Sequence, residues 1–373
     1  MTIAPEPVFE PEMPWDSPKF REKNDTQWMA GCRWLASWWR EQQGHQPGER
    51  TDISETLVGA MFPVGTDAEH NFFGPNATAA LEHRVLEGAE FGVVATEVLF
   101  RSLLEKQVLL FNAFGEFTAR PNALLPWVQT IDPTAAEVLE IRIEWQPDRR
   151  LHHGGGPGFD AFVEYRSRLR GARRFLALEC SYAEDPTRAS LTTKPRHVEA
   201  TDESPRWRAG APRRLDRPGL RQYWIPTLVA QSLVEHGGYD AGRLVAMSCA
   251  ANPDPLLATN YVRAELHDPD ASLVLSSFDA LVDALAPAHP EWAHYIRRRY
   301  LDFTPVLHLL EPGDPRVSAP HASAASEALC QLLAMGGRTN FAATDPSQVA
   351  ALEVRAADLV ADLDVFWDAL DNL

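Results

Sequence analysis

Two acidic side chains stand where a buried strand rarely carries them. The stretch "GGGPGFDAFVEYRSRLRGARRFLALECSYAED" runs from Gly154 to Asp185. It reads as a glycine-rich turn, a strand, a basic turn and a second strand. Successive side chains of a strand face opposite sides of a sheet. In "FLALECSY", Leu176, Leu178 and Cys180 therefore share one face, and Ala177, Glu179 and Ser181 share the other. Asp160 opens the partner strand just after Gly154–Gly158. A hairpin of the two strands sets Asp160 and Glu179 side by side at one end of a sheet. Close carboxylates repel one another unless a proton or a cation lies between them. Hard oxygen donors with room for water suit Mg²⁺. Such an ion activates water and neutralises charge developing on a phosphodiester. The simpler readings are a turn aspartate at Asp160 and a buried arginine partner for Glu179.

The elements that must position these groups lie in a chain of 373 residues, 45% of them hydrophobic, enough for a sizeable core in one large domain or two ordinary ones. No run of 18 apolar residues occurs, so no membrane-spanning helix is expected. The acidic, proline-rich start "MTIAPEPVFEPEMPWDSPKF" lacks a signal peptide's basic and apolar regions, and a cytoplasmic protein is expected. Cys32, Cys180, Cys249 and Cys330 are scattered singly, without zinc-ligand or redox spacing. The net charge of −17 argues against nucleic-acid binding by the chain as a whole. Yet Arg142–Arg221 holds 17 Arg and Lys against 11 Asp and Glu, a balance of +6. A positive middle in an acidic protein suits a cleft that meets an anion, although solvated arginine loops would look the same. The four lysines are Lys19, Lys23, Lys106 and Lys194.

Residues 1–20 read as a disordered tail. Helical spacing follows in "DTQWMAGCRWLASWWREQQG", near Asp52–Met61, in "NATAALEHRVLEG" with Asn76 as its cap, and in one long helix over Thr96–Phe114. Strands are expected at Ala135–Trp145, "FDAFVEYR" and "RFLALECSY", with "GARR" as the hairpin turn. Asp185–Arg217 reads as a long loop. The helix "GLRQYWIPTLVAQSLVEHG", the strands "GRLVAMSCA" and "ASLVLSS", and the helix "FDALVDALA" come next, and the remainder is helical. This order predicts an α/β fold, a mixed β-sheet core over about residues 130–275 flanked by N- and C-terminal helices.

The acid pair resembles the core of the PD-(D/E)XK nuclease superfamily, whose restriction-endonuclease-like members carry Asp, a strand, then Glu-x-Lys. The segments "WWREQQGHQPGER", "HNFFGPNA", "KQVLLFNAFGEF", "ECSYAED", "RQYW" and "RRRYLDF" stand in the order seen in a bacterial restriction-endonuclease family of that superfamily. The resemblance threads about residues 25–303. It implies a restriction-endonuclease-like domain over 21–303 and a helical C-terminal extension over 304–373. It implies a Mg²⁺ (or Mn²⁺) site formed by Asp160, Glu179 and the Cys180 carbonyl, DNA as the partner, and Gln222 near the phosphate. Glu144 is a further candidate acid. Ser181 stands where the pattern has lysine, so the positive charge must come from elsewhere. Lys194 is the preferred replacement, because its loop could fold back over the sheet end, and Lys106 is the other source.

A Mg²⁺-dependent DNA endonuclease is therefore expected. The alternative is a degenerate nuclease fold that binds DNA or protein. A serine hydrolase built on "HHGGG" and Ser248 is disfavoured, since the glycines of a nucleophile elbow are missing. The endonuclease reading and the DNA-binding form of the alternative both predict binding to DNA at low salt. Affinity measured by fluorescence anisotropy should fall steeply between 50 and 200 mM salt, as counterion release requires (roughly a decade or more for a handful of phosphate contacts). Absence of binding at 50 mM would leave only protein interaction.

Overall fold

The computed structural model describes residues 25–49, 57–67, 70–87, 96–148, 158–184 and 191–309. All of these belong to one compact unit, Met1–Glu311. The expected tail over 1–20, the glycines before Gly158, and all but the first residues of the C-terminal extension lie outside the described residues.

The first third is helical, with three departures from expectation. Helix α1 (Gln27–Gln42) starts at Thr26, whose hydroxyl accepts from the Met29 amide at 3.2 Å. Near Asp52–Met61 the described residues are not helical. Leu57–Val58 (β2) pairs antiparallel with Gly48–Glu49 (β1), and the Gly48 amide donates to the Met61 carbonyl. Helix α2 (Gly74–Glu87) begins before Asn76. Asn76 is not its cap, and its amide donates to Glu116 instead. The third departure matters most. The single helix expected over Thr96–Phe114 is two, α3 (Thr96–Arg101) and α4 (Lys106–Phe114). Between them the chain bonds sideways: the Leu103 amide donates to the Ala60 carbonyl, and the Arg101 carbonyl accepts from the Phe62 amide. Glu105 is extended, and Lys106 opens a new helix.

Helix α5 (Leu125–Ile131) leads into β3 (Ala135–Trp145), β4 (Phe159–Ser167) and β5 (Arg173–Ser181). These pair antiparallel. The hairpin turn between β4 and β5 is Arg168–Ala172, slightly earlier than the expected "GARR", with Arg170 and Gly171 left-handed. The expected long loop after β5 holds α6 (Pro195–Glu203) and α7 (Ala211–Leu215), each with a proline in its first turn. Then come α8 (Pro218–His236), β6 (Ala241–Ser248), α9 (Pro253–Ala264), β7 (Leu273–Ser277), α10 (Phe278–Leu285) and α11 (Pro290–Ile296). Helix α9 begins in "NPDPLL", where none was expected, with the Asn252 side chain capping it. Strands β5, β6 and β7 are parallel, so the sheet order is β3-β4-β5-β6-β7.

The sheet is buried on both faces. On one, Val163, Leu176 and Leu178 pack with residues of α1, α4, α5, α10 and α11. On the other, Phe162, Phe175 and Ala177 pack under α8. No helix among the described residues is long and apolar enough to cross a membrane.

One buried polar lock joins three of the segments noted in the sequence. Asn112 on α4 donates to the Tyr300 hydroxyl at 2.7 Å and to the Asn71 carbonyl at 3.0 Å. Its own carbonyl accepts from the Trp292 indole, and Arg299 donates to the Asn71 carbonyl. Asn112 is fully buried, so its truncation leaves several partners unsatisfied. Asn112→Ala should lose at least about 2 kcal/mol of unfolding free energy. Urea denaturation measures this, and a loss below about 0.5 kcal/mol would deny the lock its role.

Candidate active site

The sheet register sets an acidic row across three neighbouring strands. The pairs Ile143–Ala161 and Trp145–Phe159 bracket Glu144 on β3 and Asp160 on β4. Beyond the pair Ala161–Leu178, Asp160 comes opposite Glu179 on β5. The alternation read from "FLALECSY" holds. Leu176, Leu178 and Cys180 lie in the core on the α4 side, and Ala177 lies under α8. Ser181 shares that second side, where its hydroxyl meets the Tyr223 hydroxyl of α8 at 3.0 Å.

Asp160 is buried and has both carboxylate oxygens engaged. Oδ2 accepts from the Cys180 amide at 2.6 Å. Oδ1 meets the Lys106 ammonium at 2.8 Å. The break between α3 and α4 makes this contact possible, because it places Lys106 at the start of a helix that packs on β3 and β4. Burial alone would lower the Lys106 pKa, but Asp160, Glu184 and Glu179 outweigh it and hold the ammonium well above its usual value. The site thus favours the charged form of Lys106. Glu184 is more exposed, and its carboxylate accepts from the Tyr182 amide at 2.8 Å.

The other two acids feel the crowding. Burial, followed by the charge of Asp160, pushes the Glu179 carboxyl well above the usual carboxylate range; Lys106 opposes this, and Glu144 and Glu184 add to it. Burial and then Asp160 push Glu144 up to about 8, against the pull of Lys106, a hydrogen bond with Gln107, and Arg84. Burial and neighbouring negative charge likewise hold the Cys180 thiol protonated. Its backbone amide is what joins it to Asp160.

The remaining residues singled out in the sequence are placed as follows. Gln222 lies on α8 beside Tyr223, with its Nε2 buried and without a hydrogen-bond partner. Lys194 is exposed at the boundary of α6, where its amide donates to His197 Nδ1 at 3.2 Å. The lysine paired with Asp160 is Lys106. Ser248 is buried at the end of β6, opposite Ser181. His152 and His153 lie outside the described residues. Sequence reasoning did not single out Tyr223, Gln107, Glu184 or Arg84. Glu184, Tyr223 and Gln107 sit inside the segments "ECSYAED", "RQYW" and "KQVLLFNAFGEF", which was a signal for all three.

A protein-family model described as the PD-(D/E)XK nuclease superfamily matches residues 23–302. The chain belongs to the PD-(D/E)XK nuclease superfamily. Among the curated proteins and the solved structures, nothing matches it. The mixed sheet with flanking helices is consistent with the superfamily's fold.

PD-(D/E)XK nucleases typically use divalent metals. Among the described residues, no group of three or more His, Cys, Asp or Glu side chains is arranged to hold a metal as it stands. The donor chemistry nevertheless fits a hard cation. Glu144, Asp160, Glu179 and Glu184 all interact with the Lys106 ammonium, and Arg84 adds one guanidinium beside Glu144, so the carboxylates outnumber the cations that face them. Burial and the Asp160 charge raise the proton affinity of Glu144 and Glu179, which eases this excess.

That balance predicts a pH dependence. Between the ordinary glutamate value of 4.5 and about 8, the folded chain retains protons that the unfolded chain has released. Stability should therefore fall as pH rises through this window. Calorimetry in EDTA should show the melting temperature dropping from pH 5 to pH 8. Added Mn²⁺ should raise it more at pH 8 than at pH 5.5. Asp160→Ala should abolish the Mn²⁺-dependent rise; an undiminished rise in that variant would remove Asp160 from the metal site.

Proposed function

We propose that this chain hydrolyses phosphodiester bonds in DNA as a Mg²⁺- or Mn²⁺-dependent endonuclease. In this reading Asp160 and Glu179, with the Cys180 carbonyl, hold the ion. When bound, the ion supplies a water of lowered pKa and neutralises charge on the phosphate. Lys106 takes the part of the lysine that Ser181 replaces. The observation that carries the proposal is the 2.8 Å contact of Lys106 with Asp160 inside an acidic row. A cation in that position, its charged form favoured by the surrounding carboxylates, is suited to stabilise negative charge growing on the phosphoryl oxygens. Gln222 has a buried, unpartnered N–H donor, which suits an anionic oxygen. Ser181 is neutral and meets the Tyr223 hydroxyl, so it supplies no charge. The arginine-rich stretch from Arg142 to Arg221 supports DNA as the polyanion.

A second reading, a nuclease fold that binds DNA or protein without cutting, is favoured by one observation. Both Asp160 oxygens already have partners in the protein, so a metal would have to share them with the Lys106 ammonium and the Cys180 amide. Cleavage of supercoiled plasmid with Mn²⁺ or Mg²⁺, against an EDTA control, separates the two. The endonuclease reading expects metal-dependent nicking, lowered about a hundredfold by Lys106→Ala. Lys194→Ala should cut at the wild-type rate. The reverse pattern would return the role to Lys194. Salt-sensitive DNA binding without cleavage would establish the non-cutting reading.

A further inference from the structure

Glu144 has an unusual backbone. Its φ is 53°, in the left-handed region that L-residues other than glycine avoid. Among the described residues one other non-glycine has positive φ, Arg170, and it sits in a hairpin turn where that angle is ordinary. Glu144 instead lies one residue from the end of a strand. Strain of this kind persists only where the surroundings over-determine it, and it gathers at functional sites.

The surroundings here do so. Arg84 on α2, 5% exposed, aims Nε and Nη2 at the Glu144 carbonyl, at 3.2 and 3.0 Å. Gln107, in the first turn of α4, hydrogen-bonds the Glu144 carboxyl. Gly158 opens the neighbouring strand so close that a Cβ there would lie 2.9 Å from the Trp145 carbonyl oxygen, so no other residue fits without a shift. The left-handed step has a clear effect on the strand. Residues two apart normally share a face, yet Ile143 lies in the core on the α4 side while Trp145 packs with Phe159 and Phe162 on the α8 side. Glu144 is the residue at which the alternation flips. It stands on the side of Asp160 opposite Glu179, because β4 lies between β3 and β5.

We propose that Glu144 is a third carboxylate of the catalytic centre, an acceptor for water bound beside Asp160, and that Arg84 is the positioning residue that holds it there through its backbone carbonyl. The alternative is that the twist merely ends the strand. A terminator needs no carboxylate, no buried guanidinium spanning from another helix, and no amide partner on the carboxyl. A glycine would serve it with less strain. The proposal rests on the nuclease reading above.

The test uses the full-length protein and the variants Glu144→Gly, Glu144→Gln, Arg84→Ala and Arg84→Lys. Mn²⁺ affinity is measured by calorimetry without substrate, kcat and KM on plasmid DNA, and Tm by scanning calorimetry. Glu144→Gly should melt at the wild-type temperature or about 2–4 °C higher, because it relieves the left-handed strain. It should nevertheless lose about tenfold in Mn²⁺ affinity and at least tenfold in kcat, with KM within twofold. Glu144→Gln, which keeps the strain but cannot ionise to face a cation, should show the same losses. Arg84→Ala should lower kcat, and Arg84→Lys should recover part of it with its single donor. If Glu144→Gly and Glu144→Gln both keep Mn²⁺ affinity and kcat within twofold of wild type, the proposal is overturned while the nuclease reading stands. A wild-type protein that neither binds Mn²⁺ nor cuts overturns both. Glu144→Gln decides the matter even if the Arg84 variants fail to fold.

Discussion

The structure is organised around one electrostatic constraint: carboxylates on adjacent strands, partly withdrawn from water, with a single ammonium against them. Burial disfavours the charged form of a carboxylate, and a neighbouring negative charge disfavours it further. Glu144 and Glu179 accordingly bind protons far more tightly than free glutamate does. Asp160, the central member, is stabilised by the Cys180 amide and the Lys106 ammonium. A site so short of positive charge is held together by its scaffold and not by its own interactions.

The scaffold supplies this in identifiable pieces. The α3–α4 break exists because backbone groups around Leu103 bond to the N-terminal segment, and that break sets Lys106 at a helix start. Helix α4 is itself fixed by Asn112, which ties it to Asn71, Tyr300 and Trp292. Three segments far apart in the chain thus act on one lysine. Across the sheet, α8 sets Tyr223 against Ser181. The hydroxyl pair lies on the α8 side of the sheet, while the Lys106 ammonium reaches Asp160 from α4.

Some of this was legible before any coordinates. The five strands of the main sheet carry runs of β-branched and aromatic residues between turn residues, and both strand alternation and helix periodicity are local properties. Hence the faces of "FLALECSY" and the helical nature of the first third followed from spacing alone. Helix boundaries fared worse. Residues 102–105 have ordinary helical propensity, and the break comes from hydrogen bonds to Ala60 and Phe62, about 40 positions earlier. The helices in Asp185–Arg217 were hidden because arginine and proline there also describe a loop, and packing such as the Trp224–Thr201 hydrogen bond settles the matter.

The sequence by itself determined the sheet's acidic composition, since strand period and hairpin pairing need only neighbouring residues to put Asp160 and Glu179 at one strand end. It also determined that position 181 carries no charge. Which lysine answers Asp160 was decided by tertiary structure alone. Lys106 and Lys194 are equally lone cations in the sequence, and an ion pair depends on where two separate layers meet. The same holds for Glu144. Nothing in "EIRIEWQPD" announces a left-handed residue, because that angle is imposed by Arg84 from another helix and by the space that Gly158 leaves open.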